Sequence, residues 1–322
     1  MKKALSVIIA LVMIFTAIPF AFAVNTEKPF DNSEFYKVND DYTLHYRVYE
    51  AKGEEKNQSL LAKYYRPPEG VFSRENLACA AENGYKTVLV DVPNFGYSSR
   101  ETDNMKLLDR EDVIYALMEH LGGSFIVGGH SMGGGLAINL ATDHPETVTG
   151  LVLFAPQTSM DAKENTMPSF MHKPMQIMME VVRTVILWFP TLIRYALVAG
   201  SFSSMKFAKD YDITKITDPF TIKGTGAGIA IMSTHTRGSD LSKLKELKIP
   251  CVIVTADKDM VASAENLQAI IDNSPEGAKV AQAANIDVKD TYVIQIDYTI
   301  ERNKFGSGHF QVKYMDNYGY GN

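Results

Sequence analysis

Short apolar runs alternate with amphipathic stretches along most of this chain. Residues 42–49, Tyr42-Thr43-Leu44-His45-Tyr46-Arg47-Val48-Tyr49, alternate in a period of two and predict a strand. Residues 59–65 predict a second strand, and 85–92 a third with Thr87-Val88-Leu89-Val90 as its apolar centre. Helical periodicity covers 74–83 and stops at Gly84. A second helix covers 109–121, with Val113, Leu117 and Leu121 on one face and Gly122-Gly123 as its stop. Strands follow at 125–127, 148–154, 251–255 and 292–296, and helices at 134–142 and 263–271. Strands that alternate with helices predict the α/β class: a mostly parallel β-sheet with helices on both faces.

The alternation breaks between about residues 161 and 247. Met167, Met171, Met175, Met178 and Met179 crowd the start of this stretch, and it shows no strand pattern. Residues 181–198 are strongly apolar, but Arg183, Pro190 and Arg194 interrupt them, which argues against a membrane span. Two short helices folded over an apolar surface are expected. Unbranched thioether side chains suit a pocket for an acyl chain.

The first residues read as a targeting segment. Met1-Lys2-Lys3 is basic, 4–20 is apolar, and Ala21-Phe22-Ala23 has the small-residue pattern of a cleavage site. The expectation is a signal peptide of residues 1–23, cleaved after Ala23, and a mature protein secreted or held in the cell envelope. The rest divides into a core at 24–160, a helical insertion at 161–247 and a second core part at 248–322.

Composition narrows the chemistry. Of 322 residues, 46% are hydrophobic and 22% charged, and the net charge of -6 offers no basic field for nucleic acid. The two cysteines, Cys79 and Cys251, sit in a helical and a strand pattern and read as small buried hydrophobes. No metal-ligand spacing of Cys and His occurs. Neither a metal nor a cofactor is expected.

Gly129-His130-Ser131-Met132-Gly133 is the most informative motif. It lies between an apolar run and a helical run, so a strand, a tight turn and a helix are predicted around Ser131. Such a turn lifts a serine hydroxyl clear of the sheet edge, in front of the free N–H groups of a helix start. A serine hydroxyl needs a base within reach and a third group to orient that base. In a strand–elbow–helix architecture the chain order is serine, acid, histidine. Of the seven histidines, only His235 and His309 lie well downstream. His309 stands in Gly306-Ser307-Gly308-His309-Phe310, expected to be a glycine-flanked loop beyond the last strand, and is the expected base. His130 is set aside because its adjacent backbone position turns its side chain away from Ser131. The acid is expected at the C-terminal end of the strand at 251–255, where Asp257-Lys258-Asp259 follows. Asp259 is favoured over Asp257.

These motifs resemble the α/β-hydrolase superfamily from about Tyr42 to Phe310. The resemblance is carried by Gly129-His130-Ser131-Met132-Gly133-Gly134, Asp91-Val92-Pro93-Asn94-Phe95-Gly96-Tyr97-Ser98, His144-Pro145-Glu146, Ala256-Asp257-Lys258-Asp259 and Gly308-His309-Phe310. It implies the α/β-hydrolase fold, Asp259 as the acid and a cap or lid formed by the helical insertion. The elbow is similar to that of monoacylglycerol-lipase-like and small-ester hydrolases. The family usually carries His-Gly after its third strand, where a backbone N–H completes the oxyanion hole. Here the place reads Lys63-Tyr64-Tyr65-Arg66-Pro67-Pro68, and the prolines have no N–H to give. Tyr65 or Arg66 is the expected donor beside Met132. Asn94 replaces a usual glycine and tolerates left-handed backbone.

The expected activity is that of an exported serine hydrolase cleaving carboxylic esters through an acyl-enzyme on Ser131. The expected partners are a small, lipid-like acyl ester and, through the cap, a transient contact with a membrane surface. Two alternatives stand beside it: an aminopeptidase-like amide hydrolase, with Asp161, Glu164 and Glu180 to bind an amine, and a non-catalytic binding module.

Overall fold

A strand buried on both faces has none to give to water, and in Lys86–Asp91 the successive residues Thr87, Val88, Leu89 and Val90 are all buried. It forms the fourth strand of an eight-stranded sheet in the computed structural model, which describes residues 26–53, 59–64, 80–158, 168–193, 195, 213–235, 237–256, 263–283, 292–298 and 308–314. The strands are β1 Ser33–Lys37, β2 Thr43–Tyr49, β3 Ser59–Tyr64, β4 Lys86–Asp91, β5 Phe125–His130, β6 Val148–Phe154, β7 Cys251–Ala256 and β8 Lys279–Ala283. Their spatial order is β1-β2-β4-β3-β5-β6-β7-β8. β2 runs antiparallel to β1 and β4, and every pair from β4 to β8 is parallel. The α/β class and the parallel sheet expected from the sequence are therefore present.

Two helices fill the core beside the central strands. In α1, Arg110–Leu121, Val113 and Leu117 are fully buried and Leu121 packs at the margin, as its periodicity predicts. It stops at Gly122, where φ is +69°, a left-handed value that glycine adopts without strain. In α2, Met132–Asp143, Leu136, Ala137, Leu140 and Ala141 join Val127, Leu151 and Ile253 of the sheet in one apolar cluster. Cys251 opens β7 and is buried, and burial pushes its thiol up to about 12. Cys79 and the targeting segment lie outside the described residues. Of the helix expected at 74–83, only its end is described: 80–82 are helical and Gly84 follows at φ +85°.

The stretch between β6 and β7 is helical, but not as expected. Instead of two short helices, α3 runs unbroken from Ser169 to Trp188. Pro174 falls in its second turn, where the missing N–H forfeits only a bond to the Phe170 carbonyl, at an end where Phe170 is 77% exposed. The helices α4, Thr214–Thr221, and α5, Thr225–Thr234, follow, and α5 lies along α3. That approach depends on Gly226, where a Cβ would meet the Met179 carbonyl oxygen at 2.4 Å. The Glu180 carboxylate of α3 accepts N–H bonds from Gly226 at 3.0 Å and Ala227 at 3.3 Å, so it caps α5 and offsets the partial positive charge there. Arg183 holds the same carboxylate at 2.6 Å. Glu180 is thus engaged within the helices, contrary to the idea that it binds a substrate amine. Asp161 and Glu164 lie outside the described residues. Among the described residues, no helix is long and apolar enough to cross a membrane.

The loop after β4 joins these helices to the sheet. Asn94 takes φ +76°, the left-handed value its side chain tolerates, and bonds Glu101 through both amide atoms, at 2.6 and 2.7 Å. Gly228 of α5 lies against it: a Cβ there would meet Asn94 Oδ1 at 2.2 Å. Arg100 donates to the carbonyls of Phe95, Gly96, Ser98 and Pro219 and to the Thr225 hydroxyl. Its burial lowers the guanidinium to about 10.

Two further helices, α6 Leu241–Glu246 and α7 Ala264–Asp272, flank β7 in the chain, and Ser263 caps α7 with its hydroxyl. β9, Tyr292–Tyr298, and β10, Gly308–Tyr314, form a separate two-stranded antiparallel sheet.

Candidate active site

Ser131 occupies the turn between β5 and α2, as the motif predicts. Its φ is +53° and its ψ -126°, a sparsely populated combination for a residue with a side chain. Three bonds hold this backbone. The Ser131 N–H donates to the Phe154 carbonyl at 3.0 Å, which extends the β5–β6 ladder by one residue. The Ser131 carbonyl accepts from the N–H of Gly134 at 2.8 Å and of Gln157 at 3.0 Å.

Small residues permit the turn. A Cβ on Gly129 would meet the Gly133 carbonyl oxygen at 2.0 Å. A Cβ on Gly134 would meet the Pro156 Cβ at 2.6 Å, and one on Gly135 would meet the Gln157 carbonyl oxygen at 2.8 Å. Strand and helix therefore approach closer than any side chain between them would allow. Met132 is the first residue of α2, so its N–H has no carbonyl partner within the helix, and its side chain is 39% exposed at the mouth of the turn.

The sheet brings the ends of several strands to one edge. β3 and β5 are parallel and adjacent, so β3 ends at Tyr64 on the edge where Ser131 leaves β5. Tyr65 and Arg66, the expected oxyanion donors, follow Tyr64 but lie outside the described residues. β7 is parallel to β6 and ends at Ala256 on that same edge. Asp257 and Asp259 come next in the chain and also lie outside the described residues.

His309 is not in a loop. It is the second residue of β10, directly opposite Asp297 of β9 in the register. The glycines at 306 and 308 read as a loop, but Phe310, Val312 and Tyr314 recur in a period of two and carry the strand to Tyr314.

A hydroxyl–imidazole–carboxylate chain that the sequence reading missed lies on the strands β1, β2 and β4. His45 of β2 is buried, with Nδ1 2.7 Å from Asp91 Oδ2 and Nε2 2.8 Å from Ser33 Oγ. Burial would raise the Asp91 carboxyl, but hydrogen bonds from His45 and the Tyr97 N–H outweigh it and hold the group below its ordinary range. The carboxylate therefore accepts from Nδ1–H, and Nε2 shares a hydrogen bond with the Ser33 hydroxyl. Phe35 and Tyr97 rings lie 5.1 and 5.4 Å from the imidazole. Ser33 is only 8% exposed and already accepts the Phe30 N–H at 3.0 Å. This trio fastens β1 and the end of β4 to β2, and its hydroxyl is buried. Alternation alone gave no signal for it, because Ser33 and Asp91 are distant in sequence.

Among the described residues, no group of three His, Cys, Asp or Glu side chains is arranged to hold a metal ion.

Comparison with known proteins agrees with this topology. Similar solved structures include a probable hydrolytic enzyme from Pseudomonas aeruginosa PAO1, with a TM-score of 0.55 and 18% identity over 78% of this chain and 86% of that one. A thermophilic esterase from Thermogutta terrifontis aligns with a TM-score of 0.54 and 17% identity over 76% and 85% of the two chains. An enol-lactonase from Burkholderia xenovorans LB400 aligns with a TM-score of 0.56 and 15% identity over 78% and 91%. At these identities the likeness is one of fold. The model of the alpha/beta hydrolase fold family matches residues 68–281, about two thirds of the chain, from before β4 into β8. With its strand order, its serine turn and that match, this chain belongs to the α/β-hydrolase fold family.

Proposed function

We propose that the protein is an exported serine hydrolase that cleaves carboxylic esters, with Ser131 as the nucleophile. One observation carries this reading: Ser131 is held at φ +53° on a glycine-walled turn at the start of α2. Backbone strain of this kind costs about 1–3 kcal/mol and persists where the surrounding structure enforces it. Family membership supports hydrolytic chemistry, and the turn supports serine as the attacking group.

In the proposed reaction His309 takes the Ser131 proton as the oxygen attacks the acyl carbonyl. The Met132 N–H, with Tyr65 or Arg66 as second donor, holds the oxyanion. The alcohol leaves with the proton from His309, and water then releases the acid by the reverse sequence. The inserted helices serve as a cap. Their exposed side supports a lipid-like substrate and contact with a membrane surface. Met171, Met178, Val182, Val185, Phe189 and Leu192 recur every three, four or seven residues and are all exposed. The carboxylate of Glu180 is turned to α5 instead. The leading apolar segment supports export with cleavage after Ala23.

The test is labelling with a fluorophosphonate probe beside turnover of p-nitrophenyl esters of graded chain length. Labelling that disappears in Ser131→Ala, with turnover lost by several orders of magnitude, is the expected result. Full activity in Ser131→Ala refutes the reading.

A further inference from the structure

We propose that Asn266, on α7, is a positioning residue for the nucleophile, acting through the segment that leaves β6. The proposal rests on the reading of Ser131 as the attacking group. β5 and β6 end side by side, with His130 the register partner of Phe154. The next residue of each strand takes a positive φ although it carries a side chain: Ser131 at +53° and Ala155 at +40°. Backbone of this kind persists only where its surroundings enforce it. The Ser131 carbonyl accepts one N–H bond from Gly134, inside its own turn, and one from Gln157, two residues beyond Ala155. The Gln157 bond thus joins the two strained positions.

The residue after Gln157 is gripped by α7. Asn266 is buried, and its side chain takes both polar groups of the Thr158 main chain: Oδ1 accepts the Thr158 N–H at 3.1 Å, and Nδ2 donates to the Thr158 carbonyl. A side-chain amide here does the work of a neighbouring strand, although β6 has ended at Phe154. The start of α7 does not call on that amide, because the Ser263 hydroxyl accepts the Asn266 N–H as its cap. The Thr158 hydroxyl shares a bond of 2.6 Å with the buried Ser239 hydroxyl, which also donates to the Gly135 carbonyl of α2 at 3.3 Å. The fit leaves no slack on the α2 side. A Cβ on Gly135 would meet the Gln157 carbonyl oxygen at 2.8 Å and the Thr158 Cβ at 3.1 Å. Thr158 precedes α3 and Ser239 follows α5, so this clamp stands at the root of the inserted helices.

Positioning and stability alone separate experimentally. Asn266→Leu keeps the branched shape and removes both bonds to Thr158. Ile270→Val loosens the same helix at a fully buried apolar position. Both are compared with the parent and with Ser131→Ala in the full chain. The readouts are turnover of p-nitrophenyl butyrate, the rate of fluorophosphonate labelling and hydrogen exchange of the 155–158 amides, with the folded fraction taken from circular dichroism. Asn266→Leu is expected to lower kcat by about 10–100-fold per folded molecule with KM hardly moved, since a displaced reacting group costs rate rather than substrate binding. Labelling should slow in proportion, and the Gln157 amide should exchange about tenfold faster. Ile270→Val should keep kcat and labelling close to the parent. Asn266→Ala, which leaves room for water where the amide stood, is read by the same criteria if Asn266→Leu does not fold.

Faster exchange with kcat and labelling unmoved overturns the proposal and leaves Asn266 a structural clamp. Unmoved exchange overturns it as well, since Gln157 then keeps its place without Asn266. A loss of rate that Ile270→Val reproduces also overturns it, because general loosening of α7 then accounts for the effect. Each of these outcomes leaves labelling dependent on Ser131. Labelling that survives Ser131→Ala removes the proposed function itself.

Discussion

Gly129→Ala tests whether the closeness of β5 and α2 sets the position of the nucleophile. The added Cβ would lie 2.0 Å from the Gly133 carbonyl oxygen and 2.3 Å from its carbon, where ordinary contact begins at 3.4 Å. Both atoms are backbone in the first turn of α2, so no side chain can swing aside. Strand and helix must separate by about 1 Å or more, and Ser131 sits in the turn between them. Overpacking of this kind costs about 1–3 kcal/mol and occasionally more, and rigid backbone on both sides places this site at the upper end. A displacement of about 1 Å at a reacting group costs on the order of 10²-fold in rate. Gly150→Ala in β6 is the control, since its Cβ would meet Ile126 at an ordinary 3.5 Å. Urea unfolding gives the stability difference, and kcat/KM for p-nitrophenyl butyrate gives the rate. The expectation is a loss of about 3 kcal/mol and about 100-fold for Gly129→Ala, with the control within about 1 kcal/mol of the parent. If Gly129→Ala is destabilised but turns over normally per folded molecule, the tight elbow does not govern the chemistry.

Asp91 is held below its ordinary range when folded, so its contribution to stability is present above about pH 4 and disappears as pH falls through the folded value. Urea midpoints measured from pH 6 to 3 should therefore fall less steeply in Asp91→Asn, which starts about 2 kcal/mol less stable near neutrality. Glu180→Ala strips the carboxylate from the start of α5; hydrogen exchange of the 225–228 amides should quicken by about tenfold while those of α1 hold. Arg100→Met removes the donors that reach Pro219 and Thr225, and exchange in α4 and α5 should rise ahead of exchange in the sheet. Replacing Ile177 and Val185 by lysine puts charge on the apolar side of α3, where they are 58% and 43% exposed. Flotation with phosphatidylcholine vesicles should then fall, and unchanged flotation contradicts membrane contact through this helix.

The elements that bury residues on a simple period were legible in the chain. β2, β4, β6, α1 and α7 announce themselves by alternation or by Val113 and Leu117 recurring above a glycine stop. The serine turn was legible because three small residues and an apolar strand are needed together. β1 and β8 were not. Ser33–Lys37 and Lys279–Ala283 are edge strands, each with one neighbour and only five residues, too short to show a clear period. α3 was not read as one helix because nothing in its own residues reports the packing along α5 that accompanies it. Glu180 looked like a free acid because nothing local reveals that a helix start lies against it. The His45 bonds depend on a contact between residues 12 and 46 positions apart, beyond any local pattern.

The buried trio of Ser33, His45 and Asp91 has a wider consequence. Matching three side chains by separation alone would select it first, since its atoms already stand at 2.8 and 2.7 Å. Yet aromatic rings pack around the imidazole, the Phe30 N–H already bonds the Ser33 oxygen, and that hydroxyl is buried. Within one polypeptide, the same three functional groups thus make a rivet in one place, and what would turn such a set into a catalyst elsewhere is the empty room around its oxygen.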